Sequence, residues 1–160
     1  MTSIRILLVD DHPMLRLGVR ISLENEESFA IAEECADLAS VRAWLSSGGK
    51  ADVAILDRGL PDGDGLEVVP PLKAAGMKVI VLTVEDDDEE IRAAVDAGVD
   101  GYLLKSSDTE QIIHAVGIVL QDAGAFPPQI VQKLTRSSGE HPLDKLSPRE
   151  LEIAEYVAQG

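Results

Sequence analysis

"ILLVDDHPMLR", residues 6–16, is the stretch that decides the fold. An apolar run from Ile6 to Val9 leads straight into two adjacent carboxylates, Asp10 and Asp11, and then His12 and Pro13. A short unbroken apolar run reads as a strand buried on both faces, as in a parallel sheet covered by helices. Pro13 suits the first turn of a helix, where a missing N–H costs nothing. Apolar residues at helical spacing follow through residue 25. Two like charges at the end of a buried strand repel each other, so the pair calls for something to hold.

The same grammar repeats along the chain. "FAIAEEC" (29–35) reads as an edge-side strand, and "DLASVRAWLSS" (37–47) as a helix stopped by Gly48 and Gly49. "DVAILD" (52–57) is a second buried strand ending on a carboxylate, followed by turn formers in "GLPDGDG" (59–65). "LEVVPPLKAAG" (66–76) has helical periodicity, but Pro70 and Pro71 each lack an N–H and crowd the preceding turn. They predict a shortened or bent helix. "KVIVLT" (78–83) and "GYLLK" (101–105) are strands. "DDEEIRAAVDAG" (87–98) is a helix whose leading acids suit the helix dipole. "DTEQIIHAVGIVLQDAG" (108–124) is a helix opened by an Asp cap.

Strands alternating with helices predict an α/β fold. With right-handed crossovers, the leading topology is a flavodoxin-like five-stranded parallel sheet of order 2-1-3-4-5 with helices on both faces. Its switch point lies between strands 1 and 3, and ligands bind there, outside the carboxyl ends. Strand 1 ends at Asp10 and Asp11 and strand 3 at Asp57, so three carboxylates meet in one crevice.

After Gly124 the pattern changes. A linker with a short helix (124–145) leads to "LSPRELEIAEYVAQG" (146–160). There Ser147 caps a helix, Pro148 takes its first position and Glu150 completes a capping box.

Composition narrows the function classes. Hydrophobic residues make up 45% of 160, enough for one domain with a core, while aromatics at 3% make that core aliphatic. The net charge of −15 opposes DNA binding through phosphates and favours cations or basic partners. One cysteine, Cys35, excludes an internal disulfide and reads as a small half-buried residue. No apolar stretch approaches the roughly 20 residues that span a bilayer. A cytoplasmic protein without membrane association is the expectation.

Three acids without a nearby base suit a hard divalent cation, and Mg²⁺ prefers oxygen ligands and keeps waters for substrate oxygens. His12, His114 and His141 are far apart in sequence, which argues against a histidine-based metal site. Strand 4 ends at Thr83 and strand 5 at Lys105. A hydroxyl donor and an ammonium beside a metal-neutralised carboxylate are what a phosphoryl group requires, with Asp57 as nucleophile. Blander readings stand beside this one. Asp10 and Asp11 could be helix-capping acids, Thr83 a structural β-branched residue, Tyr102 an edge-strand aromatic, Arg58 a solvated side chain and His12 a turn residue. The matching strand ends favour the site for Asp10, Asp11, Thr83 and Tyr102, whereas Arg58 is expected to be a solvated side chain and His12 a turn residue.

"LLVDDHPMLR", "AILDRGLPDGDGLEV", "VLT" and "GYLLK", in this order and spacing, resemble the receiver domain of two-component response regulators, nearest the NarL/FixJ subfamily. The resemblance covers about 1–123 and implies a CheY-like fold. The segment 146–160 is similar to the first helix of a LuxR-type helix-turn-helix, so a truncated DNA-binding domain is expected there. Without a recognition helix the chain is expected not to bind a specific DNA site; DNA would be contacted only through a complete C-terminal domain.

By position, the resemblance implies that Asp57 accepts a phosphoryl group from a sensor histidine kinase. It implies Mg²⁺ supported by Asp10, Asp11, Asp57 and the backbone carbonyl of Gly59. It implies a phosphoryl contact from Lys105 and a switch pair of Thr83 and Tyr102, with homodimerisation on activation and control of transcription. Such a domain is a phosphoacceptor that catalyses only its own phosphorylation and dephosphorylation. Val84 stands where many receivers carry a smaller residue and is expected to narrow access and slow hydrolysis. Ser106 stands where many carry proline, and a trans peptide is expected. Two alternatives remain: a phosphorylation-independent dimerisation domain, and a Mg²⁺-dependent aspartyl-phosphate phosphatase. The latter is disfavoured because position 59, two beyond the nucleophile, is Gly rather than an acid.

Overall fold

The computed structural model describes residues 3–84, 88–105 and 107–126. The expectations for the Ser106 peptide, the linker and the C-terminal helix lie outside the described residues, as does position 87 at the start of the helix expected over 87–98. The strands are β1 (Ile4–Val9), β2 (Phe29–Cys35), β3 (Val53–Asp57), β4 (Lys78–Thr83) and β5 (Gly101–Leu104). The helices are α1 (Pro13–Glu24), α2 (Leu38–Ser46), α3 (Val69–Ala74), α4 (Asp88–Asp96) and α5 (Thr109–Leu120). All strand pairs in the sheet are parallel, in the order β2-β1-β3-β4-β5. This is the expected 2-1-3-4-5 topology.

The strands split their residues between two cores, as a period of two dictates. Ile6, Leu8, Val53, Ile55, Ile80 and Leu82 face α1 and α5, where Val19, Leu23, Ile112 and Val116 meet them. Leu7, Val9, Ala54, Leu56, Val79 and Val81 face α2, α3 and α4, against Leu38, Val41, Leu72, Ile91 and Val95. Burying each such Leu or Ile stabilises the fold by about 2 kcal/mol of transfer free energy.

Pro70 and Pro71 have the expected effect. A 3₁₀ turn spans Gly65–Val68, and the α-helix begins only at Val69. Both prolines then lie in the first turn, where no N–H needs an intrahelical partner. The turn formers 59–64 make a small antiparallel hairpin, Gly59–Leu60 with Gly63–Asp64. Gly65 must stay without a side chain, because a Cβ there would collide with the Asp57 carbonyl oxygen.

One boundary differs from expectation. The last helix stops at Leu120, not 124. Asp122 takes a left-handed conformation (φ 60°), and the chain returns alongside β5. There Ala125 N–H donates to the Asp100 carbonyl and Tyr102 N–H to the Ala125 carbonyl. The packing therefore extends to Phe126, which joins the α4-side core.

Candidate functional site

The carboxyl ends of β1, β3 and β4 and the residue after β5 open into one cleft of about 800 Å³. Asp57, Arg58, Thr83, Val84 and Lys105 line it, together with His12, Met14, Gly59 and Glu90. Parallel strands deliver their last residues to the same edge, which is why positions 47 apart in sequence, Asp10 and Asp57, become neighbours. Asp10, Asp57 and Thr83 are each only 4% exposed.

Lys105 supplies the countercharge. Its Nζ lies 3.0 Å from Asp57 Oδ2 and 3.7 Å from Asp10 Oδ2. Gly59 N–H donates to Asp57 Oδ1 at 3.2 Å. Arg16 donates from Nη1 to the Asp10 carbonyl at 2.6 Å and pairs with Glu34, fixing the chain where the two acids diverge.

His12 belongs to this cluster, which its sequence position did not reveal. It stands at the N-cap position of α1 with an extended backbone and no side-chain capping bond. Its N–H also donates to Asp10 Oδ1 at 2.7 Å, which turns the ring back over the acids. Nδ1 lies 3.0 Å from both Asp10 Oδ1 and Asp11 Oδ1. A single ring nitrogen serves one of them well; the hydrogen bond goes to Asp10. Asp11 Oδ1 is left buried without a hydrogen-bond partner. The wide spacing of the histidines in sequence concealed that His12 adds a nitrogen to the carboxylate set, while His141 lies outside the described residues.

One donor atom from each of Asp10, Asp11, His12 and Asp57 falls within a sphere of contacts no wider than 4.8 Å. An orphaned buried carboxylate oxygen amid oxygen donors is what a hard cation satisfies. The residues fit Mg²⁺.

Arg58 overturns its reading as a solvated side chain. Its side chain is 11% exposed, because the hairpin brings Asp64 and α4 brings Glu90 to it. Nη2 lies 2.7 Å from Asp64 Oδ2, and Nη1 donates to the Glu90 carbonyl at 2.9 Å. Burial acts to lower the guanidinium pKa, but the Asp64 hydrogen bond and the charges of Asp64 and Glu90 outweigh it and raise it. Burial likewise acts to raise the Asp64 carboxyl, and Arg58 with the Leu66 N–H outweighs it, holding it below its ordinary value.

Val84 is 72% exposed on the cleft rim, and Tyr102 is fully buried on the α4 side of the sheet. Cys35 is buried, and desolvation, with Glu33 and Asp37 adding, pushes its thiol up to about 11.

Residues 6–117 match the family model of the response regulator receiver domain. The chain belongs to the response regulator family. Its relatives place it in the NarL/FixJ branch with LuxR-type regulators. It is 34% identical to the nitrate/nitrite response regulator protein NarP of Escherichia coli (strain K12), over 99% of this chain and 76% of that protein. It is 30% identical to the response regulator protein VraR of Staphylococcus aureus (strain Mu3), over 99% of this chain and 77% of the relative. The crystal structure of a LuxR-family two-component response regulator from Aurantimonas sp. SI85-9A1 superposes with a TM-score of 0.76 at 28% identity. That match covers 87% of this chain and all of the other. The signal receiver domain of NarL from Mycobacterium tuberculosis gives 0.70 at 28% identity, over 76% of this chain and 98% of that one. Domains of this family are signalling modules rather than metabolic enzymes. Among the described residues no helix is long and apolar enough to cross a membrane.

Proposed function

We propose that this receiver takes a phosphoryl group on Asp57 from the phosphohistidine of a sensor histidine kinase. The observation that carries the reading is the Asp57 carboxylate itself. It is buried at the cleft floor, 3.0 Å from the Lys105 ammonium and crowded by Asp10 and Asp11. An Asp57 oxygen attacks phosphorus; the new P–O bond forms as the P–N bond breaks, and the imidazole nitrogen keeps the electron pair. Lys105 passes from the carboxylate to a phosphoryl oxygen, and the Thr83 hydroxyl donates to another. Asp10, Asp11, Asp57 and the Gly59 carbonyl would hold Mg²⁺, which supplies charge neutralisation for the acids and the incoming oxygens. Thr83 and Tyr102 form the switch pair: Thr83 moves toward the phosphoryl group, and the buried Tyr102 ring takes up the space it vacates. The activated receiver pairs with a second copy to control transcription.

The test is incubation with Mg²⁺ and acetyl phosphate, read by intact mass. A phosphoryl adduct that Asp57→Asn abolishes is expected. An adduct that persists in the variant, or none in the wild type, sinks the reading. Phosphate release from many small esters would favour the phosphatase instead.

A further inference from the structure

Arg58 follows the phosphoacceptor and lines the same cleft, yet its guanidinium is committed elsewhere. Nε and Nη2 make a two-pronged pair with Asp64, at 3.2 and 2.7 Å. Nη1 reaches α4, donating to the Glu90 main-chain carbonyl at 2.9 Å and pairing with the Glu90 carboxylate. Asp64 in turn accepts from Leu66 N–H at 3.0 Å and heads the turn before α3. One side chain thus fastens the first turn of α4 to the end of β3 and to the loop after it. Further along α4, Ile91, Ala94 and Val95 pack into the core.

This arrangement has a definite response to new negative charge. An acyl phosphate on Asp57 places a dianion in the cleft that Arg58 and Glu90 both line. A guanidinium fork matches phosphoryl oxygens at least as well as a carboxylate, and charge-assisted pairs of this kind are the strong ones. Glu90 faces the opposite force: it is repelled by the same group that attracts its partner. Both effects act to part Arg58 from Glu90.

We propose that Arg58 is a phosphoryl-responsive clasp on α4. Resting on the Asp57 reading, it exchanges Glu90 for the phosphoryl oxygens and so releases the first turn of that helix. Lys105 and Thr83 grip the phosphoryl group from the β4 and β5 side, while Arg58 carries its presence to α4. Asp64 keeps the guanidinium within reach of the cleft throughout.

The experiment uses the 160-residue chain with Mg²⁺ and beryllofluoride as the phosphoryl mimic. Two quantities are followed: the half-saturating beryllofluoride concentration, and amide hydrogen exchange of Ile91–Asp96. In the wild type, beryllofluoride should accelerate exchange in α4. Arg58→Gln should weaken beryllofluoride binding roughly tenfold, the scale of one charge-assisted hydrogen bond. Its α4 should exchange fast at the outset and show no further response. Glu90→Gln, which removes the competing carboxylate, should tighten binding a few-fold. Opposite signs for the two variants are the signature of the exchange. If both shift binding in the same direction, or wild-type α4 does not respond to bound beryllofluoride, Arg58 is a structural tie only. If the wild type binds no beryllofluoride at all, the Asp57 reading fails and takes this proposal with it.

Discussion

Two lysine–aspartate pairs sit at opposite ends of the same sheet. At the amino end, Asp100 precedes β5 and meets Lys73 of α3, with Nζ at 2.9 and 2.7 Å from its two oxygens. Val79 N–H donates to Oδ2 at 2.9 Å. At the carboxyl end, Asp57 meets Lys105 at 3.0 Å, but it also faces Asp10, Asp11 and the His12 ring. The first carboxylate has a cation of its own. The second shares one lysine with another acid, and a third acid nearby keeps an oxygen without a hydrogen bond. The same residue types make a structural clamp where charge is balanced, and a receptive site where negative charge is in excess.

The contrast breaks if the two aspartates respond alike to substitution. Asp100→Asn should destabilise the fold by about 2–3 kcal/mol, because it strips Lys73 of its partner and weakens acceptance of a buried N–H. Asp57→Asn should leave stability unchanged or raise it, since it relieves repulsion among the acids. Urea unfolding of both variants decides this; equal losses would remove the distinction.

Mg²⁺ should sharpen it. A cation that binds only the folded cluster adds about 1.4 kcal/mol at a concentration tenfold above its dissociation constant. Thermal unfolding should therefore shift upward with added Mg²⁺ in the wild type and in Asp100→Asn, and the shift should shrink in Asp11→Ala. A shift retained in Asp11→Ala would mean that the orphaned oxygen is not a ligand.

A smaller effect concerns access. Val84 is exposed on the rim of the cleft, where its bulk is expected to narrow the approach of water to a phosphoryl group on Asp57. Val84→Ala should hydrolyse the Asp57 phosphoryl group a few-fold faster, measured by decay of the adduct after donor removal. A rate no faster than the wild type would assign the barrier elsewhere.

The smallest is alkaline. The Cys35 thiol is raised from 9.0 to about 11 in the folded chain. Between these values the unfolded chain releases a proton that the folded chain keeps. The contribution is therefore complete below about pH 9 and is lost as pH rises toward 11. Cys35→Ala should flatten this alkaline decline in stability while leaving the neutral range sloped as before.

What could be read in advance follows from the range of the forces involved. Strand positions were legible because unbroken apolar runs ending on Asp10, Asp57 and Thr83 carry both the element and its terminus. The late start of α3 was legible in Pro70 and Pro71, whose effect is covalent and local. Arg58 was not legible: its partners Asp64 and Glu90 stand 6 and 32 residues away. Nor was the grip of Asp62, which accepts from the Leu38 and Ala39 amides and adds to Asp37 at the start of α2. The place of His12 depended on one backbone hydrogen bond that turns its ring toward the acids.

By itself, then, the sequence determined the alternation of strands and helices, the parallel sheet and the residues at its carboxyl edge. Apolar periodicity and strand ends are local, and right-handed crossovers leave little freedom in joining them. Only the tertiary structure decided which charges have partners. The hairpin brings Asp64 to Arg58, α4 brings Glu90, and α3 brings Lys73 to Asp100. Ion pairs form wherever packed elements carry side chains within reach, and no spacing in the chain encodes that distance.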